Sequence, residues 1–231
     1  MGIDTRFFGP SAWQLFHYLS FRPHSEKILA CIPRILPCRF CRESSARFVR
    51  QLPMKKDTGK WLYEIHNLVN HKLRTQCHND PAVINPGPNP TFESVKSHYE
   101  TLKLPAILGR DFLFSIAVNY PDTPTPTQKH TQEEFIAELR KVYPVDITSY
   151  PAPTLHSRKE YMKWMYGLFE HIHKDGLPTY NGYVQRLMYY TSGCDKPTYK
   201  GKTCRRIGAG LRTKVRDHRR THRLTHAVLS S

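Results

Sequence analysis

The chain has 231 residues, a net charge of +16 and 39% hydrophobic residues, enough apolar material for one large domain or two small ones. No stretch approaches the ~18 consecutive apolar residues of a membrane span, and the first residues lack the apolar segment of a cleaved signal peptide. The positive charge is uneven, because residues 196–231 contain 11 Lys and Arg against one acidic residue. This basic tail favours contact with nucleic acid or an anionic surface, and a solvated, disordered terminus is the alternative.

The spacing of apolar residues predicts helices along the chain, and no segment alternates convincingly as a strand would. The first predicted helix spans residues 11–21, with Ser11 as its N-cap and with Trp13 and His17 on one face. Residues 81–90 are predicted to form a rigid, Pro-rich linker. The other predicted helices span residues 25–36, 38–51, 60–73, 91–102, 110–119, 131–142, 157–173 and 180–190. The predicted fold class is therefore all-α.

Two of the six cysteines, Cys38 and Cys41, form a Cys-x-x-Cys motif at the start of the third predicted helix. Such a motif is half of a zinc site, a redox dithiol, or a coincidence in a packed helix. Zinc needs two more ligands at close spacing, and the chain has no second close cysteine pair. The helix dipole, together with Arg39 and Arg42, favours a thiolate at this position. A redox dithiol is the favoured interpretation, and no metal site is predicted.

The fourth predicted helix has a polar stripe made of His66, Asn67 and Asn70. A solvated helix face is the ordinary explanation of such a stripe. Asparagine is a poor helix former, however, and two asparagines on one stripe indicate a polar ligand. Amide and imidazole groups match the donors and acceptors of a nucleotide or a flavin.

Three motifs, in this order, resemble the Erv/ALR family of FAD-linked sulfhydryl oxidases. They are Trp13-x3-His17, Leu-Pro-Cys38-x2-Cys41 and Trp61-x4-His66-Asn67-x-Val69-Asn70-x-Lys72-Leu73. The resemblance covers roughly residues 7–104 and implies a small helical bundle that holds FAD beside the cysteine pair. The implied function is an FAD-dependent thiol oxidase that forms disulfides in protein substrates and reduces O2 to H2O2.

The resemblance also implies roles for individual residues. Cys41 is expected to face the flavin, and Cys38 is expected to exchange with substrate thiols. The residues expected to contact FAD are Gly9, Trp13, His17, Cys41, His66, Asn67, Asn70 and Lys72. Family members often have Gly-Arg before the first helix, whereas Pro10 follows Gly9 here, so Lys72 or Arg74 is the expected phosphate contact. Cys77 lacks a partner for the family's structural disulfide.

The middle of the chain resembles a degenerate second copy of the first part. Three pairs of segments align, namely 15–23 with 113–121, 36–41 with 143–148, and 60–63 with 163–166. The second copy has lost the redox and flavin groups, which are replaced by Ser115, Val145, Thr148, Phe169 and Glu170. An unrelated helical extension is the alternative. The predicted domains are residues 1–104, 105–192 and a flexible basic tail, 193–231.

Erv/ALR proteins are commonly homodimers, so the chain is expected to be a homodimer or an intramolecular pseudo-dimer. In the pseudo-dimer the two copies overlay helix for helix and bind one FAD. Their interface is expected to be apolar and to include Phe112, Phe114, Trp164 and Phe169.

The tail contains further cysteines and histidines. Cys194 and Cys204 resemble the second, mobile cysteine pair that relays electrons in many family members. His218, His222 and His226 recur every four residues, as zinc ligands do, but Cys194-x9-Cys204 is too wide for a zinc finger. A solvated basic helix is therefore predicted, with nucleic-acid contact as the second interpretation.

The alternative function is a non-enzymatic basic scaffold that binds nucleic acid and holds a structural metal on Cys38 and Cys41. The compartment is not determined by the sequence. The second copy and the basic tail favour a viral protein of the virion or host cytoplasm, and the mitochondrial intermembrane space is the alternative.

Overall fold

A computed structural model of the chain describes residues 2–201 and 203–205. Within these residues the chain forms ten helices and no strand beyond one isolated bridge between Ile3 and Thr191, which confirms the all-α class. The helices are α1 Thr5–Ser20, α2 Glu26–Ala30, α3 Ile32–Ile35, α4 Arg39–Gln51, α5 Thr58–Cys77, α6 Phe92–Thr101, α7 Arg110–Asn119, α8 Pro126–Val142, α9 Arg158–Ile172 and α10 Tyr180–Met188. In this described part, none of the helices has the length and apolar character to cross a membrane.

The start of α1 differs from the prediction. Asp4 caps the helix by accepting a hydrogen bond from the Arg6 N–H at 2.9 Å, so α1 begins six residues earlier than residue 11. Pro10 lies inside the helix, where it removes one backbone hydrogen bond. The prediction that Ser11 is the N-cap is therefore wrong. The Ser11 hydroxyl instead accepts a hydrogen bond from the Phe112 N–H at 3.3 Å.

The predicted second helix, residues 25–36, is broken at Cys31 into α2 and α3. Pro33 explains the break, because it has no N–H to donate to the preceding turn. Most of the other helices agree with the predicted spans to within about two residues, whereas α8 begins five residues before the predicted 131 and α5 extends past both predicted ends. The added segment of α5 at its end includes Arg74 and Cys77.

The hydrophobic core runs continuously from the first half of the chain into the second. Helix α1 packs against α7, where the Phe112 ring lies 5.0 Å from Phe16 and 6.2 Å from Phe8. The predicted apolar interface is correct for Phe112, which packs against α1. The other residues predicted for this interface have ring contacts within the second half. Phe114 contacts Phe169, Tyr180 and Tyr183 within the second half. Trp164 is half-buried and packs against Tyr150 and Tyr161.

The second half reproduces some elements of the first and lacks one. Helices α7 and α9 occupy the segments that align with α1 and α5. No helix occurs over residues 143–157, where the alignment would place a copy of α4. Prolines at 144, 151 and 153 explain this, because each prevents regular helical hydrogen bonding. The expected overlay, helix for helix, therefore fails at this element, while the domain boundaries stay predictions.

Residues 193–201 and 203–205 are the described part of the predicted tail, whose flexibility stays a prediction. A disulfide joins Cys194 to Cys204, and both cysteines are buried. The Ser192 N–H donates to the Gly2 carbonyl at 2.8 Å, which ties this segment to the start of the chain. Most of the basic residues of the tail lie outside the described residues, as do His218, His222 and His226.

Candidate functional site

An open cleft of about 270 Å³ lies where α1, α4 and α5 meet. Helix α1 exposes Gly9 and Trp13 to it, α4 begins in it with the cysteine pair, and α5 presents His66 and Asn70 of its polar stripe. Seven of the predicted site residues line the cleft, namely Gly9, Trp13, Cys38, Cys41, His66, Asn70 and Lys72. His17 and Asn67 do not line it. The three motifs, far apart in sequence, therefore meet in one place.

Trp13, His17 and His66 form a compact aromatic cluster. The Trp13 and His66 rings stack at 3.8 Å with an interplanar angle of 6°. His17 Nε2 and His66 Nδ1 share a hydrogen bond of 2.8 Å. Burial, with a smaller contribution from His98, lowers the pKa of His17 to about 3, so this histidine is neutral near neutral pH. His17 Nδ1 is buried and has no hydrogen-bond partner among the described residues, so it is an atom that a polar ligand would satisfy.

The cysteine pair lies at the first turn of α4, as predicted. Cys38 is the N-cap, its Sγ accepts a hydrogen bond from the Cys41 N–H, and the two Sγ atoms are 2.6 Å apart. The hydrogen bond from Cys41, with help from Arg42, lowers the pKa of Cys38. The same hydrogen bond and burial raise the pKa of Cys41 well above its usual value. Negative charge in the reduced pair is therefore concentrated on Cys38.

The polar residues of α5 differ in what they contact. Lys72 donates a hydrogen bond to the Ser44 hydroxyl of α4, and burial lowers its pKa although the nearby Cys41 raises it. Asn70 donates to the Asn89 side chain at 3.2 Å. Arg74 bonds to the Gly87 carbonyl and to Asn89 and does not line the cleft. Of the two expected phosphate contacts, only Lys72 is placed to meet a ligand.

Several cleft residues were not predicted from the sequence. Tyr99 of α6 lines the cleft and stacks on His17 at 5.0 Å, and its spacing of four from buried Val95 is the signal that indicates an inward face. Thr203, Cys204 and Arg205 also line the cleft. No local pattern predicts these three, because their position depends on a distant disulfide.

No group of three or more His, Cys, Asp or Glu is placed to hold a metal ion in residues 2–201 and 203–205. A structural metal on Cys38 and Cys41, the alternative interpretation, would therefore have no cluster of further ligands in this part of the chain.

The fold and the site together define a class of protein. It is a helical bundle with a redox-type dithiol beside a cleft that is lined by aromatic and histidine residues. Residues 10–85 match the sequence model of the Erv1/Alr family. The mitochondrial FAD-linked sulfhydryl oxidase ERV1 of Saccharomyces cerevisiae is 27% identical over 85 residues, which cover 31% of this chain and 45% of the yeast protein. No solved structure matches. The resemblance to the Erv/ALR family is thus confirmed for this part of the chain, while a viral origin stays a prediction.

Proposed function

We propose that this protein is an FAD-dependent thiol oxidase that forms disulfide bonds in protein substrates and reduces O2 to H2O2. The observation that carries the proposal is the Cys38–Cys41 pair, whose Sγ atoms lie 2.6 Å apart at the start of α4 and in the same cleft as Trp13 and His66. The family match over residues 10–85 and the similarity to a yeast FAD-linked sulfhydryl oxidase support it.

The residues in the cleft suit a flavin nucleotide. Trp13 and Lys72 line the cleft and offer an aromatic ring and a cation for phosphate. His17 does not line it, but His17 shares a hydrogen bond with His66, which does, and its Nδ1 is buried without a partner among the described residues. A Cβ at Gly9 would meet no atom within 4 Å, so this part of the wall leaves room for a ligand. The residues proposed to hold FAD are Gly9, Trp13, Cys41, His66, Asn70 and Lys72, which line the cleft, together with His17 and Asn67, which do not line it. Bound there, FAD would accept two electrons from the dithiol and pass them to O2.

In the proposed cycle a substrate thiolate attacks Sγ of Cys38 in the oxidised pair, and the sulfur of Cys41 leaves as a thiolate. A second substrate thiolate then attacks the substrate sulfur of the mixed disulfide and releases Cys38. The substrate has lost two electrons and two protons, and the pair has become a dithiol. The first turn of α4 and Arg42 stabilise the thiolate of Cys38 as it leaves, because both place positive charge near its sulfur.

The Cys41→Ser variant tests the redox role directly. We expect the variant to keep its flavin absorbance and to lose oxygen consumption with dithiothreitol, because no disulfide remains to oxidise the dithiol. The matched control is Cys77→Ser, since Cys77 is a free, half-buried cysteine that does not line the cleft. Undiminished turnover in Cys41→Ser would contradict the proposed mechanism.

The colour of the purified protein separates the oxidase from the nucleic-acid-binding scaffold. An oxidase of this kind absorbs at the flavin maxima and contains no stoichiometric zinc. A colourless protein with one zinc bound to Cys38 and Cys41 would support the scaffold instead.

A further inference from the structure

Residues 190–201 and 203–205, here called the closing segment, lie against both the start of the chain and the cysteine helix. The Asp4 N–H donates to the Tyr190 carbonyl at 2.9 Å, and Cys194 packs so closely on Gly2 that no side chain fits there. On the other side, Asp195 forms a salt bridge of 2.9 Å with Arg42. The Tyr199 ring lies 6.4 Å from Phe40, inside the Cys-x-x-Cys motif. The closing segment is thus packed beside the redox pair.

The disulfide within the closing segment is almost completely buried, although Cys204 lines the cleft. Cys194 is 0% exposed and Cys204 is 1% exposed. A cysteine pair that relays electrons has to be reached by substrate thiols, because exchange requires direct attack on a sulfur. The described arrangement is instead that of a structural cross-link, which closes the loop between residues 194 and 204.

The residue that follows the disulfide lies in the cleft. Arg205 lines it together with Cys41 and Lys72, and only 11% of its side chain is exposed. Its guanidinium is 3.3 Å from the Thr203 hydroxyl and 3.8 Å from the Asp80 carboxylate. Because Arg205 directly follows Cys204, the disulfide fixes its backbone. A partly buried, permanently charged group in this position acts on any anion that forms nearby.

We propose that the Cys194–Cys204 disulfide is a clamp that seats Arg205 in the cleft, where its positive charge stabilises the thiolate of Cys41. The proposal rests on the proposed function in taking Cys41 as a redox cysteine, and Arg205 is a positioning residue in it. Three charged or titratable groups act on Cys41. The Cys38 thiol raises the pKa of Cys41, whereas Lys72 and Arg205 lower it. Arg205 therefore counteracts the burial that would otherwise keep Cys41 protonated.

The pH dependence of Cys41 alkylation tests the role of Arg205. The reaction with iodoacetamide is followed by peptide mass spectrometry on the full chain in a Cys38→Ser background, which removes the coupling between the two thiols. In Arg205→Gln we expect the apparent pKa of Cys41 to rise by about 0.5 to 1 unit, a three- to tenfold loss of thiolate. Arg205→Lys should recover most of the shift. Arg50→Gln, which removes an exposed charge from the far end of α4, is the control and should leave the pKa unchanged.

The clamp is tested by replacing both cysteines with serine. Cys194→Ser combined with Cys204→Ser should raise the pKa of Cys41 as much as Arg205→Gln does, and adding Arg205→Gln should cause no further shift. An unchanged pKa in the folded double variant would overturn the clamp. Loss of protein-thiol oxidation alone, with dithiothreitol oxidation intact, would then identify the pair as a relay.

Arg205→Gln keeps the disulfide intact. This variant therefore tests whether the charge of Arg205 acts on Cys41 even if the double cysteine variant does not fold. An unchanged pKa of Cys41 in Arg205→Gln overturns the proposal. Alkylation needs neither flavin nor turnover. A chain that binds no FAD would therefore fail the oxygen test and still show the shift, which separates the two failures.

Discussion

At the scale of single residues, His17 makes stability depend on pH. Its pKa in the folded protein is about 3, whereas histidine in an unfolded chain titrates near 6.5. Below pH 6.5 the unfolded state therefore binds a proton that the native state excludes. The free energy of unfolding falls as the pH drops from 6.5 towards 3, by up to ~1.4 kcal/mol per pH unit from this residue.

Replacing His17 should remove this dependence. In His17→Gln we expect a lower free energy of unfolding at neutral pH, because the hydrogen bond to His66 is altered. Between pH 7 and pH 5, however, the variant should lose about 2 kcal/mol less than the wild type. Urea unfolding at both pH values measures the difference. His71→Gln, on the exposed face of α5, should behave as the wild type does, and parallel losses in all three proteins would refute the assignment.

The polar stripe of α5 gives a second residue-scale prediction. His66→Ala combined with Asn70→Ala should release FAD and lower the melting temperature, because a ligand bound only to the native state stabilises it. Flavin absorbance after gel filtration and thermal unfolding followed by circular dichroism measure the two effects. His71→Ala is the control on the same helix. A double variant with full flavin occupancy would remove His66 and Asn70 from the site.

At the scale of elements, Gly109 lies where the start of α7 packs closely against Leu15 of α1. Its φ is +75°, and an added Cβ would lie 2.8 Å from Leu15 Cδ2. Gly176 has nearly the same φ, +69°, but a Cβ there would meet nothing within 4 Å. Both alanine variants incur the cost of a left-handed backbone, whereas only Gly109→Ala also pushes the helices apart.

We therefore expect Gly176→Ala to lower the free energy of unfolding by about 1 kcal/mol and Gly109→Ala to lower it by about 2 to 4 kcal/mol. Chemical denaturation of both variants provides the comparison. Equal losses would mean that α1 moves away from residue 109 without cost.

The helices themselves were predictable, because apolar spacing follows directly from the buried face of each helix. The start of α1 was not, since Pro10 and Ser11 together look like a helix start while the actual cap is the buried Asp4. Of the site residues predicted from short motifs on α1, α4 and α5, seven line the cleft and two, His17 and Asn67, do not, while their roles stay predictions. Tyr99 and Arg205 were missed because their role depends on tertiary packing and on the pairing of Cys194 with Cys204.

At the scale of the whole molecule, α1 contacts both the cleft and the second half of the chain. Gly9 and Trp13 line the cleft, and Phe8 and Phe16, which also line it, pack against Phe112 of α7. The second half therefore covers an apolar face that the first half would otherwise expose. This is the role that a partner subunit would have in a homodimer, and we expect the full chain to be a monomer with one FAD.

The continuous core predicts that both halves unfold as one unit, together with the flavin that is proposed to bind in the cleft. Phe112 and Phe114 allow a matched test, because both are fully buried on α7, one against α1 and the other against Phe169 and Tyr183 of the second half. Each alanine variant should lower the free energy of unfolding by about 3 to 5 kcal/mol. In both variants the increase in flavin fluorescence on release should coincide with the loss of helical circular dichroism, because destabilising either half destabilises the flavin site. A Phe114→Ala protein that loses part of its helicity while retaining flavin would show two independent domains and would contradict the single cooperative unit.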